Sequence, residues 1–270
     1  MTENKVMKFR GGTVTLERPL IFGIVNATPD SFFAPSRCEN VKKALERAAT
    51  LVAEGSDFLD IGAESTKPGS QEVSVAEEKA RLLPILKAVR EAFPQIFLSV
   101  DTRRAEVAEL ALAEGASIIN DVSSLSDPLM AKLLAETGAG VILSHAPNLC
   151  AKDVDVSIEE IKKFLEERTK LALEAGVKEA CIIWDPGLGF SKTPECNWNI
   201  LKNLEHLLDY PVMCGASHKR FTRPNPFAPE TPENDGTQGT IKAHALALKK
   251  GARLFRVHDV KICKETLKVA

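Results

Sequence analysis

Eight short apolar segments, spread over the whole chain, constrain the fold more than any other feature of the sequence. Several of them are nearly continuous in apolar residues, which is typical of parallel strands that are buried on both faces. The stretches between them have helical patterns that often end in a glycine, as in residues 41–54, which precede Gly55. The predicted strands are residues 20–25, 57–62, 96–101, 117–121, 140–145, 181–185, 211–215 and 253–257.

Eight strand–helix units favour a closed α/β barrel over an open sheet, and 270 residues is an ordinary length for one. The dinucleotide motif GxGxxG, which typically follows the first strand of an open sheet, is absent. Residues 1–18 are predicted to form an N-terminal hairpin at the bottom of the barrel, and the proline-rich residues 222–238 a long loop. We therefore expect a single-domain (β/α)₈ TIM barrel spanning residues 1–270.

Composition narrows the class of protein further. A net charge of −2 lacks the basic character of nucleic-acid binders. The N-terminus has no apolar signal core, and no apolar run is long enough to cross a membrane. We expect a cytoplasmic protein that binds neither nucleic acid nor membrane. The six cysteines contain no CxxC pair, which favours buried thiols over a zinc site.

Polar side chains follow most of the predicted strands. In a barrel of this type, the C-terminal strand ends and the loops after them carry the active site. Together, such acids, amides and a lysine suit a planar heterocycle that offers several hydrogen-bond donors and acceptors. The residues of this first set are Asn26, Asp101, Asn120, Asp185 and Lys219.

A second set of residues at the same end is cationic or carries hydroxyl groups. With backbone N–H groups at helix starts, these residues would bind phosphate or diphosphate. Asn26 would contribute an oxygen ligand to a divalent cation. The members of this second set are Ser65, Thr66, Lys67, Arg256 and His258.

Several of these residues also have structural interpretations. We expect Asp60 and Asp121 to cap the helices that follow them. Asp185 could form a turn with Pro186 instead of binding a ligand, and the segment 256–258 could simply pair with acids on the rim.

The remaining histidines are expected to be structural. We expect His145 to be a hydrogen-bonded rim residue, and His206 and His244 to lie exposed on helices.

Seven motifs, in chain order, resemble those of the dihydropteroate synthases, folate-biosynthesis enzymes of the pterin-binding barrel family. The resemblance covers residues from about 11 to 263. The motifs are IVNATPDSF at 24–32, DIGAESTKPG at 60–69, SVDT at 99–102, IINDV at 118–122, DPGLGF at 185–190, SHKRF at 217–221 and RVHDV at 256–260.

The resemblance implies a transferase that joins 6-hydroxymethyl-7,8-dihydropterin diphosphate to p-aminobenzoate, with Mg²⁺ as cofactor, Asn26 as metal ligand and a homodimer as the assembly. Asp101, Asp185 and Lys219 would be catalytic. By the same resemblance, the pterin would be bound by Asp101, Asn120, Asp185 and Lys219, the diphosphate by Asn26, Thr66, Arg256 and His258, and p-aminobenzoate by Phe32, Lys67, Pro68, Phe190, Ser217 and Lys219.

The sequence departs from the family pattern in several loops. The residues after DSF read FAPS, without the usual aspartate, and Lys67 stands where arginine is usual. Arg220 stands where a serine would face the carboxylate of p-aminobenzoate, so we expect Arg220 to bind that carboxylate directly. Ser191 replaces a glycine. Two further interpretations remain open: a pterin-binding paralogue with weak or altered activity, and a pterin-dependent methyltransferase domain.

Overall fold

The computed structural model describes residues 6–27, 40–64, 73–146 and 153–269. Eight parallel strands in these ranges form one sheet: β3 (Leu20–Asn26), β4 (Phe58–Gly62), β5 (Phe97–Asp101), β6 (Ile118–Asp121), β7 (Gly140–Ser144), β8 (Ile182–Asp185), β9 (Met213–Cys214) and β10 (Leu254–Val257). Their order in the sheet is β8-β7-β6-β5-β4-β3-β10-β9. The two outer strands of this order meet through a bridge between Trp184 and Val212. The sheet therefore curves into a nearly closed barrel, as predicted.

Helices follow the strands and cover the outside of the barrel. The apolar face of each helix packs on the sheet, and local signals set several of its ends. Asn40 caps the first helix by accepting a hydrogen bond from the N–H of Lys43, and Gly55 ends it with a φ of 98°. The helices in the described ranges are α1 (Val41–Glu54), α2 (Val75–Ala92), α3 (Ala105–Ala113), α4 (Met130–Thr137), α5 (Ile158–Glu174), α6 (Pro194–Lys202), α7 (Thr237–Lys249) and α8 (Val260–Val269).

The N-terminal hairpin lies across the end of the barrel at which the strands begin. Its strands β1 (Val6–Phe9) and β2 (Gly12–Thr15) pair antiparallel. The ring of Phe9 lies 6.1 Å from that of Phe58 and 5.3 Å from that of Phe97, centroid to centroid, and both partners are early strand residues. This aromatic cluster closes the bottom of the barrel, which confirms the predicted hairpin and leaves the opposite end for ligands.

Two expectations about the rest of the chain have different outcomes. Four cysteines, at positions 181, 196, 214 and 263, are buried free thiols, as expected of core residues. His244 is not exposed: only 1% of its surface is accessible, and its ring contacts that of Phe255 edge-on. The expectation for His244 was wrong because the face of α7 that carries it packs inward. Among the described residues, no helix is long and apolar enough to cross a membrane.

Candidate active site

Neighbouring strand ends bring the first predicted set together. The register places Asn26 beside Gly62, Gly62 beside Asp101, and Asp101 beside Asn120. Gly62 makes room for this arrangement, because an added Cβ at this position would lie 3.2 Å from the Cβ of Asp101. Asn26, Asp101 and Asn120 therefore occupy matching register positions at the C-terminal rim of the barrel, as predicted from the sequence.

Arg256 links this rim to a deeper acid. Its Nε donates to Asp60 over 2.6 Å and its second guanidinium nitrogen donates to Asp101 over 2.8 Å. Asp60 is fully buried and also accepts a hydrogen bond of 2.5 Å from the hydroxyl of Ser99. The expected capping role of Asp60 was therefore wrong: its carboxylate points into the barrel, where it pairs with an arginine. The capping role expected of Asp121 was also wrong: α4 begins at Met130 without a side-chain cap, and Asp121 instead accepts from the N–H groups of Ser123 and Leu125 in the turn directly after β6.

Burial changes the protonation of the acids at this end of the barrel. It raises the pKa of Asp101 to about 7, against the opposing effect of the Arg256 guanidinium. Burial also raises the pKa of Asp185, here against Lys219. Asp185 is 6% exposed and accepts a 2.7 Å hydrogen bond from the N–H of Gly187. One carboxylate oxygen thus stabilises the turn that contains Pro186, and the same side chain can still bind a ligand.

Lys219 lies across from Asp185, above the loop that follows β8. Its ammonium donates to the carbonyl of Leu188 and lies 4.2 Å from the centroid of the Phe190 ring. Burial lowers the pKa of Lys219 to about 8, against the charge of Asp185. The predicted pterin residue Lys219 and the predicted p-aminobenzoate residue Phe190 are therefore in contact, and an aromatic face and a cation border the same space.

Ser217, in the loop after β9, contacts His258, which directly follows β10. The hydroxyl of Ser217 accepts a 3.1 Å hydrogen bond from the backbone N–H of His258 and lies 3.1 Å from Nδ1 of the same residue. Since the oxygen already accepts, its own proton is suited to Nδ1, which places the imidazole proton on Nε2. Burial holds the pKa of His258 well below its usual value, so the ring is neutral at pH 7.

Sequence reasoning missed the buried lysine that shapes the loop after β8. Lys192 is 2% exposed, and its ammonium donates to the carbonyls of His145 over 2.9 Å and of Gly187 over 2.8 Å. Asn197 supports the same loop by accepting a 2.6 Å hydrogen bond from the N–H of Gly189. A lysine two residues after the DPGLGF motif was the available signal, but lysines are so commonly exposed that position alone did not identify it.

The departures from the family pattern have structural consequences. Arg220 forms an ion pair with Asp153, and both side chains are partly exposed. Ser191, which replaces a glycine, has a φ of 45°, a left-handed value for which glycine is well suited. His145 is buried at the rim, with its ring edge-on to Phe164. Burial lowers the pKa of His145 to about 3, so it does not act as a charged group.

Four predicted site residues lie outside the described residues, namely Phe32, Thr66, Lys67 and Pro68. The same applies to Ser65, to the FAPS run at 33–36, and to Cys38 and Cys150. The described residues contain no group of three histidines, cysteines or acids placed to bind a metal ion. Asn26, at the end of β3, remains the predicted oxygen ligand.

Comparisons with known proteins agree with this geometry. Residues 22–258 match the family described as pterin binding enzyme. The dihydropteroate synthase of Bacillus subtilis (strain 168) is 38% identical over 248 residues, which are 91% of this chain and 85% of that protein.

Two solved structures are also similar. The dihydropteroate synthase of Yersinia pestis, solved with a sulfonamide drug complex, has a TM-score of 0.89 and 32% identity, over 98% of this chain and 97% of that chain. The enzyme from Xanthomonas albilineans in complex with 7,8-dihydropteroate has a TM-score of 0.83 and 35% identity, over 98% and 96% of the two chains. The chain therefore belongs to the pterin binding enzyme family and, within it, to the dihydropteroate synthases.

Proposed function

We propose that this chain condenses 6-hydroxymethyl-7,8-dihydropterin diphosphate with p-aminobenzoate to give 7,8-dihydropteroate and diphosphate, a transferase step of folate biosynthesis. The observation that supports this most strongly is the meeting of Asp101, Asn120, Asp185 and Lys219 at one end of the barrel. The relative from Xanthomonas albilineans was solved with 7,8-dihydropteroate, which is the proposed product.

The pterin half would be bound by these four residues. A carboxylate can accept two parallel hydrogen bonds from the N–C–NH₂ edge of the pterin. Asp101 and Asp185 are the two acids placed to supply such a carboxylate. The amide of Asn120 and the ammonium of Lys219 can complete the recognition of a ring that has both donors and acceptors. Because these groups are largely buried, each unmade hydrogen bond would be costly, which favours a ligand that satisfies all of them.

The diphosphate half would lie against Asn26, Thr66, Arg256 and His258. Arg256 supplies a charge that persists at any physiological pH, and the neutral His258 can donate from Nε2. The site fits Mg²⁺, because this ion usually takes one or two protein oxygens together with substrate phosphates, and Asn26 offers such an oxygen. When bound, Mg²⁺ would neutralise part of the charge on the departing diphosphate.

The amine half would lie between Phe190 and the loop after β9. Phe190 offers an aromatic face with the ammonium of Lys219 4.2 Å from its centroid, and Ser217 lies two residues before Lys219 in the loop after β9. Phe32, Lys67 and Pro68 are proposed to complete this pocket on the family resemblance. The aryl ring of p-aminobenzoate would stack on Phe190, with its amino group directed toward the methylene carbon of the pterin.

We further propose a dissociative substitution. The bond between the methylene carbon and the diphosphate oxygen breaks first, and Arg256 stabilises the charge that develops on the leaving oxygen. The pterin ring delocalises the positive charge on carbon, and the carboxylates of Asp101 and Asp185 stabilise it electrostatically. The amine nitrogen then bonds to the carbon and loses one proton to water or to the released diphosphate. In this scheme, positioning and electrostatics supply the rate enhancement, without a covalent enzyme intermediate.

The test is to incubate the protein with dihydropterin diphosphate, p-aminobenzoate and Mg²⁺ and to follow dihydropteroate and diphosphate together. We expect both products in equal amounts, and neither from Asp185→Asn. Diphosphate without dihydropteroate would show that bond cleavage survives while the amine pocket has changed. Neither product, with pterin binding still measurable, would refute the enzyme and favour a binding paralogue.

Three further proposals accompany this function. The homodimer follows from the family resemblance, and the particle mass in solution would test it. A cytoplasmic location is supported by the four buried free thiols, since unpaired cysteines suit a reducing compartment. Residues 1–270 are proposed to fold as a single domain, which one cooperative unfolding transition would support.

A further inference from the structure

Two consecutive residues of the loop after β9 contact two consecutive residues after β10. Ser217 bonds to His258, as described above, and Nε2 of His218 lies 2.5 Å from a carboxylate oxygen of Asp259. The two contacts join the loop after β9 to the loop after β10 in the candidate active site. The first contact involves predicted ligand residues, whereas the second lies beside them and has no place in the proposed chemistry.

His218 has a backbone conformation that few residues adopt. Its φ is 52°, in the left-handed region, and a side chain other than glycine or asparagine adds strain there, on the order of 1 kcal/mol. Such a residue persists only where its surroundings hold it. Here the N–H of His218 donates to the hydroxyl of Thr240 on α7 over 3.1 Å, and the ring is held by Asp259.

The turn at His218 sets the positions of both of its neighbours. Ser217 precedes it and reaches His258, while Lys219 follows it and reaches Leu188 and Phe190. A change at His218 would therefore move two groups that border the proposed amine pocket.

Asp259 is well placed to be the fixed end of this contact. It directly follows His258, and its carbonyl accepts the hydrogen bond from Cys263 N–H that starts α8. The His218 side chain is 5% exposed and the Asp259 side chain 34% exposed, so the bond is shielded from most competing water.

We propose that His218 and Asp259 are a positioning pair, whose hydrogen bond fixes Ser217 and Lys219 relative to His258 and thereby sets the affinity for the amine substrate. This inference rests on the proposed function, because it names the amine subsite as the site that the pair supports. Neither residue is proposed to touch the substrate.

The first test is His218→Asn, because asparagine tolerates a left-handed φ but is too short to reach Asp259. We expect the KM for p-aminobenzoate to rise about tenfold, the size expected when a charge-assisted hydrogen bond is lost, with kcat changed less than about twofold. His206→Asn is the matched control, since His206 is exposed on the short helix before β9 and should leave KM unchanged.

The second test changes the other partner. Asp259→Ser retains a residue that can cap α8 but removes the reach to His218, and should raise the KM for p-aminobenzoate as His218→Asn does. Asp259→Asn retains a hydrogen-bond acceptor and should restore most of the affinity. If the two residues act as a pair, the double variant His218→Asn/Asp259→Ser is no worse than either single variant.

The outcomes separate positioning from simple structural support. A structural role would lower the unfolding midpoint and the fraction of active enzyme, and hence kcat, while leaving KM unchanged. An unchanged KM in His218→Asn, or additive effects in the double variant, would overturn the proposal.

A second readout keeps this test independent of turnover. If the wild-type protein makes no dihydropteroate, the proposed function fails, but calorimetric binding of 7,8-dihydropteroate still tests the pair. About tenfold weaker binding by His218→Asn than by the wild type would support it. Equal binding by the two proteins, or no binding by the wild type, would overturn it.

Discussion

Arg256 donates a hydrogen bond of 2.8 Å to Asp101, so a cationic residue proposed to bind the diphosphate is paired with an acidic residue proposed to bind the pterin. The same guanidinium donates to Asp60, which is fully buried. An arginine with a planar set of donors suits this double contact better than a lysine would. The pairing gives the buried side chain of Asp60 a cationic partner inside the barrel, and it makes the stability of the fold depend on a residue of the site.

Replacing Arg256 should therefore destabilise the protein. Arg256→Met is expected to lower the free energy of unfolding by about 3–5 kcal/mol, because it leaves a buried carboxylate without its partner. Urea unfolding followed by fluorescence of the two tryptophans would measure this. The double variant Asp60→Asn/Arg256→Met should recover part of the loss, since both charges are then gone. A loss below about 1 kcal/mol in the single variant would show that the pair behaves like a surface ion pair.

Activity should have a bell-shaped dependence on pH. Asp101, with a pKa of about 7, must be ionised to accept from the pterin, and Lys219, with a pKa of about 8, must be protonated to donate. We expect kcat/KM for the pterin substrate to fall as pH drops through 7 and as it rises through 8. In Lys219→Arg the residual activity should lose the alkaline limb, because arginine stays charged. An alkaline limb that persists in this variant would assign it to another group.

The buried His244 should make the protein sensitive to acid. Burial lowers the pKa of His244 to about 4, from 6.5 in the unfolded chain, and Nε2 has no hydrogen-bond partner among the described residues. Between these two pH values the unfolded state binds the proton and the folded state does not, so stability falls as pH decreases. Each pH unit in this window costs about 1.4 kcal/mol. His244→Leu should reduce the slope of unfolding free energy between pH 6.5 and 4 by about 1.4 kcal/mol per pH unit, while the buried His145 and His258 still contribute to that slope. His206→Asn, at an exposed site, should leave the slope unchanged.

The loop after β8 should depend on Lys192. Lys192→Met keeps the length of the side chain but removes the ammonium donor from the carbonyls of His145 and Gly187, of which, among the described residues, only that of Gly187 also accepts from the N–H of Phe190. We expect a loss of about 2–3 kcal/mol in unfolding free energy and a higher KM for p-aminobenzoate, because Phe190 lies on this loop. Lys202→Met, at an exposed position of α6, is the matched control and should change neither quantity. An unchanged KM in Lys192→Met would mean that the loop keeps its form without the ammonium.

Local signals explain why the strands and the strand-end residues could be predicted. Apolar runs and helix-ending glycines act within a few residues, so the ends of α1 agree with the sequence pattern. Asp60 could not be understood in this way, because its partner Arg256 is 196 residues away. The burial of His244 likewise depends on how α7 packs, and the ammonium of Lys192 has a role only once two loops meet around it.

Arg220 should bind the carboxylate of p-aminobenzoate, because it stands where the family resemblance implies a serine that faces this carboxylate. Arg220 forms an ion pair with Asp153, so binding of the substrate carboxylate would require an exchange of partners. Arg220→Ser is expected to raise the KM for p-aminobenzoate about tenfold, the loss expected for one charge-assisted contact. Asp153→Asn should lower this KM, because it frees the guanidinium. The uncharged 4-aminobenzamide is the control substrate, and its KM should change in neither variant. Equal changes for both substrates would place Arg220 in the support of the loop, without a direct contact to the carboxylate.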